Sequence, residues 1–110
     1  MTKLKERSCR RCEGADVPYT GEQALALMGQ LDEGWRVVED GRALRRELRF
    51  GDFYRTMSFV NALAHLANAE DHHPDLEVGY NYCNVRFSTH DAGGLTEKDF
   101  ICAAKTDALA

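Results

Sequence analysis

Residues 35–50 are WRVVEDGRALRRELRF, and this stretch decides the fold. At its centre, Asp40-Gly41 is a strong signal for a two-residue hairpin turn, because a type I′ turn needs positive φ at both central residues. We therefore predict one strand over 35–39 and an antiparallel return strand over 42–50.

The return strand has one apolar and one charged side. Leu44, Leu48 and Phe50 fall on the same side, and charged residues occupy the alternate positions. This alternation is typical of an antiparallel strand that covers a core with one face and meets solvent with the other. Arg46 lies on the apolar side, and the sequence offers no explanation for it.

A second hairpin and three helices lie on either side of this first hairpin. Thr20, Asp52 and Thr96 are suitable N-caps for the three helices. The predicted segments are a helix that ends by Gly34, a long helix over 53–70, strands over 76–79 and 83–90, and a last helix that contains Leu109. The order α-β-β-α-β-β-α predicts an α+β domain, in which a four-stranded antiparallel sheet is covered on one face by helices.

Apolar residues at helical spacing predict which helix faces are buried. In the first helix they are Leu25, Met28 and Leu31. In the long helix they are Phe53, Met57, Val60, Leu63 and Ala67, and Phe59 and Leu66 widen that face. We expect the broad stripe of the long helix to lie across the sheet.

Length and charge limit the classes of function. The 110 residues are predicted to form one domain over 1–110, with an N-terminal arm over 1–18 that shows no clear periodicity. A net charge of −4 and a pI near 5.5 argue against a dedicated nucleic-acid binder. No apolar run approaches the roughly 18 residues of a membrane span, and the charged first residues do not resemble a secretory signal. We expect a cytoplasmic protein without membrane or nucleic-acid partners.

The four cysteines are Cys9, Cys12, Cys83 and Cys102. Without an export signal, reduced thiols are expected rather than disulfides. Cys83 and Cys102 lie within apolar patterns, which predicts that they are buried. Cys9 and Cys12 have the spacing of half a zinc site, but no second close pair accompanies them. Two free thiols on the arm are therefore favoured over a metal site.

Three histidines lie at predicted element ends. His72 and His73 are adjacent after the long helix, and His90 ends the last strand. Imidazole exchanges a proton near neutral pH, so histidines around one pocket would support acid–base catalysis. A purely structural interpretation stays open, in which His72 stabilises the helix C-terminus through its dipole and His90 only closes a strand.

Asp99 and Asn68 are each open to two interpretations. Asp99 stands three residues after Thr96, where a carboxylate completes a capping box, and it could also orient His90. Asn68 belongs to a polar stripe on the long helix that would usually face solvent. That stripe leads to His72, so its end could instead line a pocket.

Several motifs resemble the pterin-4a-carbinolamine dehydratase family, in its bacterial type. They are Phe50-Gly51-Asp52-Phe53 before a long helix, Asp71-His72-His73-Pro74, Tyr80-Asn81, Ser88-Thr89-His90, and Gly94-Leu95-Thr96-Glu97-Lys98-Asp99. The similarity spans about Trp35 to Leu109.

The resemblance implies a hydro-lyase on a helix-covered four-stranded antiparallel sheet. Its reaction removes water from 4a-hydroxytetrahydropterin (4a-hydroxytetrahydrobiopterin) to give quinonoid dihydropterin. The family recycles the pterin of aromatic amino acid hydroxylases, phenylalanine hydroxylase in particular. The pterin is the substrate, and no metal or organic cofactor is implied. A homodimer or homotetramer, built by joining sheets edge to edge, is also implied.

By position, the resemblance implies that His72, His73 and His90 are the catalytic and binding histidines. His72 and His90 are expected to donate protons towards the hydroxyl, and His73 to hold the pterin or take its proton. The expected supporting residues are Asp99, Asn68, Asp71 and Thr89.

The chain departs from the family pattern at two positions. Members commonly carry an acidic residue where this chain has Asn68, and often an aromatic residue where it has Leu76. Some animal relatives act as dimerisation cofactors for a transcription factor, so the alternative is a non-catalytic protein-interaction or coactivator role. The intact set of three histidines favours the enzyme.

Overall fold

The computed structural model describes residues 3–9 and 17–110. The first four elements are α1 (Gly21–Met28), β1 (Arg36–Val38), β2 (Ala43–Arg49) and α2 (Phe53–Glu70). They are followed by β3 (Asp75–Val78), β4 (Tyr82–Phe87) and α3 (Glu97–Asp107). Short 3-10 helices lie at Leu4–Glu6 and His90–Ala92. The predicted α+β class and element order are confirmed.

The four strands form one antiparallel sheet in the order β1-β2-β4-β3. In the first hairpin Val38 pairs with Ala43, which leaves the turn at Asp40-Gly41. Asp40 and Gly41 have φ values of 56° and 85°, as a type I′ turn requires. β2 and β4 are thus neighbours at the centre of the sheet, and β3, which follows α2 in the chain, pairs with β4 at the edge.

The core lies between the sheet and the helices. Cys83, Val85 and Phe87 of β4 are fully buried, which confirms the predicted alternation. Residues Phe100 to Ala104 make α3 the most deeply buried helix, and α3 packs against α2, β2 and β4. Because α3 touches both the sheet and α2, its N-terminal end is held close to the ends of both.

Arg46 has a partner on the apolar side of the sheet. Its Nη1 lies 2.5 Å from Oδ1 of Asp107, at the end of α3. The same carboxylate accepts hydrogen bonds from Nε1 of Trp35 at 2.7 Å and from the N–H of Asp32 at 2.8 Å. The arginine therefore joins β2 to the end of α3 and to the loop before β1.

The buried face of α2 matches the predicted stripe only in part, at Phe59, Leu63 and Ala67. The buried residues are Thr56, Phe59, Leu63, Ala67 and Glu70. Phe53 is 49% exposed. The face includes two polar residues because their groups have partners: Thr56 Oγ1 lies 2.8 Å from the carbonyl of Asp52, and Glu70 accepts the N–H of Cys9. Counting apolar residues alone misses such positions.

α1 begins as predicted but ends early. The capping box is present, because Gln23 N–H donates to Oγ1 of Thr20 and Thr20 N–H donates to Oε1 of Gln23. The helix stops at Met28, so Leu31 reaches the core from the following turn. Leu25 was wrong as a core residue, since it is 72% exposed.

The prediction of an arm is wrong for residues 3–9. Leu4 is 1% exposed, and its 3-10 helix packs on α3. Arg7 pairs with Glu97 at 2.9 Å, and Cys9 is buried. Leu4 is an isolated apolar residue among charged ones, so no periodicity marks it. Cys12 lies outside the described residues.

Within residues 3–9 and 17–110, no helix combines the length and the apolar character that crossing a membrane requires.

Candidate active site

α2 ends in a way that places two histidines at one corner. Asp71 has a φ of 53°, and its N–H bonds to the carbonyls of Ala67 and Asn68. The N–H of His72 reaches the carbonyl of Ala67 at 3.2 Å. Backbone hydrogen bonds therefore fix the start of the segment that carries His72 and His73 into β3.

His72 is held by a buried carboxylate and by an aromatic ring. Its Nε2 lies 2.7 Å from Oδ1 of Asp99, whose side chain is fully buried. The imidazole stacks on Phe87, with ring centroids 6.0 Å apart and planes 12° from parallel. Asp99 fixes one ring nitrogen and Phe87 fixes the ring plane, so the imidazole is oriented before any substrate binds.

Asp99 has three hydrogen-bond donors around it. Besides the contact with His72, its Oδ2 accepts the hydroxyl of Thr89 at 2.8 Å and the N–H of Thr96 at 3.0 Å. The last bond is the capping-box contact predicted for α3. The carboxylate also lies at the helix N-terminus, where the helix dipole stabilises negative charge. Hydrogen bonds from these donors offset the free-energy cost of burying an ionised Asp99.

The surroundings of Asp99 determine which nitrogen of His72 is available for chemistry. An ionised carboxylate accepts hydrogen bonds and donates none, so Nε2 of His72 carries the hydrogen in this contact. Nδ1 is then the ring nitrogen that can exchange a proton with a substrate. This tautomer is inferred from the hydrogen-bond network. The interpretation of Asp99 as a partner of His90 is wrong, because the imidazole it contacts belongs to His72.

His73 is paired with Asn68. Its Nε2 lies 3.0 Å from Oδ1 of Asn68, one turn back on α2. Asn68 therefore contacts the second histidine of the pair. An amide oxygen holds the ring by a hydrogen bond but adds no charge to it.

His90 lies beyond the end of β4. The strand ends at Phe87, earlier than predicted, and His90 is an exposed residue that begins a 3-10 helix. It lines a cavity of about 270 Å³ together with Arg42, Arg86 and Ser88. Neither ring of the histidine pair lines this cavity.

One wall of the His90 cavity is an ion-pair network. Arg86 donates through Nη2 to Glu39 at 2.7 Å and through Nη1 to Asp75 at 2.8 Å. The hydrogen bond from Arg86 lowers the pKa of Glu39, which keeps this carboxylate ionised. The cavity wall therefore carries both signs of charge next to His90.

The predicted site residues thus form two hydrogen-bonded groups, and His90 and Asp71 lie outside both. His72, Asp99 and Thr89 are directly hydrogen-bonded, and His73 with Asn68 forms a second pair at the same corner. His90 is connected to the first group through the chain, because its neighbour Thr89 bonds to Asp99. Asp71 has an exposed side chain, and its backbone ends α2.

Sequence reasoning missed Phe87 and Thr96 as parts of the site. The alternation on β4 identifies Phe87 only as a core residue, and Thr96 was assigned only the role of an N-cap. The Thr96 hydroxyl lies 2.7 Å from that of Thr89. The available signals were the position of Phe87 next to the Ser-Thr-His motif and the place of Thr96 within the Gly94-Leu95-Thr96-Glu97 motif.

In the part of the chain that the structure describes, no group of three or more His, Cys, Asp or Glu side chains is arranged to hold a metal ion. Cys9 is buried against Cys102, with 3.5 Å between the sulfurs, and does not lie on an exposed arm. The burial predicted for Cys83 and Cys102 is confirmed.

Comparison with known proteins identifies the family of the chain that carries the His72–Asp99 pair. The family model for pterin 4 alpha carbinolamine dehydratase matches residues 17–109. The chain belongs to this family. The match confirms the resemblance carried by the motifs and extends it to α1.

Relatives of this pterin-4a-carbinolamine dehydratase family protein align with it over most of their length. A protein from Legionella pneumophila (strain Lens) is 54% identical over 106 residues, covering 96% of this chain and 94% of its own. One from Stenotrophomonas maltophilia (strain K279a) is 55% identical over 109 residues, covering 99% and 93%. Both are provisionally named pterin-4-alpha-carbinolamine dehydratase.

Two solved structures share the fold. A transcriptional coactivator/pterin dehydratase from Brucella melitensis has a TM-score of 0.79 and 32% identity, covering 84% of this chain and 98% of that one. A pterin dehydratase-like protein described as a RuBisCO assembly factor in the alpha-carboxysome has a TM-score of 0.62 and 30% identity, covering 71% and 90%. Members of one fold thus carry both enzyme and assembly descriptions.

Proposed function

We propose that the protein is a 4a-hydroxytetrahydropterin dehydratase, a hydro-lyase that forms quinonoid dihydropterin and water. The observation that carries the proposal is the contact between Nε2 of His72 and the buried carboxylate of Asp99 at 2.7 Å. An imidazole oriented in this way is suited to proton transfer. Membership of the pterin-4a-carbinolamine dehydratase family supports this class of reaction.

The reaction requires two proton movements. The bond between C4a and the hydroxyl oxygen breaks, and the oxygen leaves as water after gaining a proton. The lone pair of the adjacent ring nitrogen forms the new double bond to C4a, and that nitrogen loses its proton. Because the lone pair assists cleavage, a modest acid and a modest base suffice. Each well-placed proton transfer contributes ~10²–10⁴ in rate.

The histidines divide these tasks in the proposed mechanism. His72 donates to the hydroxyl through Nδ1, and Asp99 stabilises the imidazolium form through Nε2. His90, which lines the cavity beside Arg86, is proposed as the second donor towards the hydroxyl. His73, held by Asn68, binds the pterin or accepts the ring proton. The proposal includes no metal and no organic cofactor.

An assay of pterin dehydration tests the proposal. A freshly generated 4a-carbinolamine is mixed with the purified protein, and formation of the quinonoid product is followed by absorbance. We expect acceleration over buffer, and a loss of at least about tenfold in His72→Ala, His73→Ala and His90→Ala. His65, an exposed histidine on α2, provides the matched control, and His65→Ala should keep full activity. If the reaction with the wild-type protein is no faster than in buffer, the proposed dehydratase activity is wrong.

The proposal also includes the enzyme that produces the substrate. The 4a-hydroxyl group is left on the pterin by an aromatic amino acid hydroxylase, and phenylalanine hydroxylase is the proposed functional partner in the cytoplasm. A coupled assay with phenylalanine hydroxylase and limiting tetrahydropterin tests this link. The wild type should raise the steady rate of tyrosine formation, and His72→Ala should not.

A homodimer or homotetramer is proposed for the assembly. β1 and β3 are the outer strands of the sheet, so each has an edge to which a strand of a second copy can pair. Light scattering after size-exclusion chromatography gives the mass in solution. A monomer at micromolar concentration would contradict the proposed assembly.

An exposed aromatic patch favours a second candidate function, binding of a protein partner. Tyr54 is 87% exposed, and Phe53 stacks on Tyr80 at 6.4 Å between ring centroids. Exposed aromatic groups of this kind are typical of protein interfaces. The Brucella melitensis coactivator/dehydratase and the RuBisCO assembly factor provide family precedents.

Variants distinguish this candidate from the enzyme. An identified partner whose binding is lost in Phe53→Ser/Tyr54→Ser, but kept in a triple histidine-to-alanine variant, would support the interaction role. If binding follows the histidines instead, the patch does not carry it.

A further inference from the structure

We propose that Cys9 and Cys102 form a reversible disulfide, which makes this pair a redox modification site. Their sulfurs lie 3.5 Å apart, and the two residues are 4% and 0% exposed. A disulfide bond is about 2.05 Å long, so the sulfurs must approach by roughly 1.5 Å. The inference does not depend on the proposed dehydratase activity.

Cys9 is held in position from two sides. Its N–H donates to Oε1 of Glu70 at 2.8 Å, and its thiol lies 3.6 Å from the carbonyl of Lys98. Glu70 is itself bound by Lys105 at 2.9 Å. The backbone that carries Cys9 is thus fixed to α2 and α3, and Cys102 is on the facing turn of α3. The two sulfurs can therefore close the remaining distance without a change in how these elements pack.

The two thiols differ in how readily they react. The hydrogen bond with Cys9 and burial raise the pKa of the Cys102 thiol, which makes it a poor first nucleophile. Cys9 is the more accessible of the two and is therefore the entry point. It also joins the described segment 3–9 to the chain that continues to Cys12.

The oxidant is a small disulfide such as oxidised glutathione. The Cys9 thiolate attacks one glutathione sulfur, forms a mixed disulfide and releases one glutathione. The Cys102 sulfur then attacks the Cys9 sulfur, and its thiol proton passes to the second glutathione thiolate as that leaves. The two protein thiols lose two electrons and two protons, and oxidised glutathione is reduced to two glutathione molecules.

The disulfide would fix the N-terminal segment to the frame of the candidate site. Cys102 lies three residues after Asp99 on α3, and Glu70 lies two residues before His72. Oxidation would convert the docking of residues 3–9 from a set of hydrogen bonds into a covalent bond. The disulfide would close the loop between Cys9 and Cys102, and a cross-link across a loop of that length stabilises the folded chain.

Tryptic mapping tests the pairing directly, because each cysteine falls in a different tryptic peptide. Cleavage after lysine and arginine gives peptides 8–10, 12–36, 56–86 and 99–105 for the four cysteines in chain order. After treatment of the folded protein with oxidised glutathione, mass spectrometry without reductant should find 8–10 joined to 99–105. Dithiothreitol should release them.

Variants provide the controls. Cys12→Ser and Cys83→Ser should keep the cross-link, and Cys9→Ser should lose it. Oxidised wild type should melt at least about 5 °C above its reduced form, and Cys9→Ser should show no such shift. A bond between 8–10 and 12–36, or a Cys9 that stays glutathionylated, would overturn the proposal. If the other variants fold poorly, peptide mapping of the wild type and of Cys12→Ser is enough to identify which cysteines are joined.

Discussion

Asp99 and His72 lie 27 positions apart in the chain, and their side chains meet at 2.7 Å. One partner is on the first turn of α3 and the other follows the last turn of α2. Packing of α3 against α2 brings these two helix ends together. The site is therefore a product of helix packing, and it is tested most directly by changing the carboxylate.

Replacing Asp99 with Asn should remove most of the proposed dehydratase activity. The amide has no charge with which to stabilise an imidazolium at His72, and it permits the other tautomer. We expect kcat to fall about 100-fold with a smaller change in KM. Asp91→Asn, at an exposed acid in the 3-10 helix, is the control. An unchanged kcat in a folded Asp99→Asn protein would contradict the assigned role.

Replacing Asn68 with Ala should weaken the reaction moderately. His73 loses the hydrogen bond that holds its ring, and one such bond is worth about 1 kcal/mol, or about fivefold in rate. Asn61→Ala removes an exposed amide from the same helix and should leave the rate unchanged. Steady-state kinetics of both variants compare the two positions, and equal rates would mean that Asn68 does not position His73.

Arg45 and Arg46 should differ in their effect on stability although they are neighbours. Arg46→Met leaves Asp107 without its closest cation and should lower the free energy of unfolding by about 2 kcal/mol. Arg45 pairs with Glu77 on the exposed sheet face, so Arg45→Met should cost less than about 1 kcal/mol. Urea denaturation measures both. If the two variants lose similar free energies of unfolding, the contact between Arg46 and Asp107 stabilises the protein no more than an exposed ion pair does.

Glu70 should contribute to the pH dependence of stability. Burial raises the pKa of Glu70, but the N–H of Cys9 and the ammonium of Lys105 outweigh it, and the pKa falls below the ordinary value of 4.5. Because the folded pKa is lower than the unfolded one, the stabilisation is complete above the unfolded pKa. It is lost as pH falls through the folded pKa.

The matched variant is Glu70→Gln, which keeps the size of the side chain. It should be less stable than wild type at pH 7 by about 1–2 kcal/mol, and the difference should shrink at pH 3. Thermal melts across that range measure the trend. A difference that grows towards acid pH would mean that the pKa of Glu70 is raised in the folded state.

Local signals in the sequence predict the sheet and the element order well. The Asp40-Gly41 turn fixes one hairpin, and alternation on β4 identifies its buried face. Two long-range effects could not be predicted. Leu4 is buried because α3 offers it a surface, and Arg46 is tolerated because Asp107 comes from the other end of the chain. Neither partner lies within the range of a periodicity argument.

In the candidate site, too, local motifs could be predicted from the sequence and long-range contacts could not. Motif resemblance identifies His72, His73, His90 and Asp99, since these residues stand in specific short patterns. Their pairing depends on how α3 packs, so the sequence left open which histidine Asp99 contacts. The end of β4 at Phe87 was also not predictable, because the Ser-Thr-His segment has no feature that stops a strand.

The burial of Leu4 has a practical consequence for anyone who produces or engineers this protein. Residues 3–9 belong to the segment that the sequence predicts to be an arm, yet removing them would take an apolar side chain out of the core and uncover part of α3. A purification tag or a fusion partner is therefore better attached after Leu109, which is 40% exposed, than immediately before Leu4.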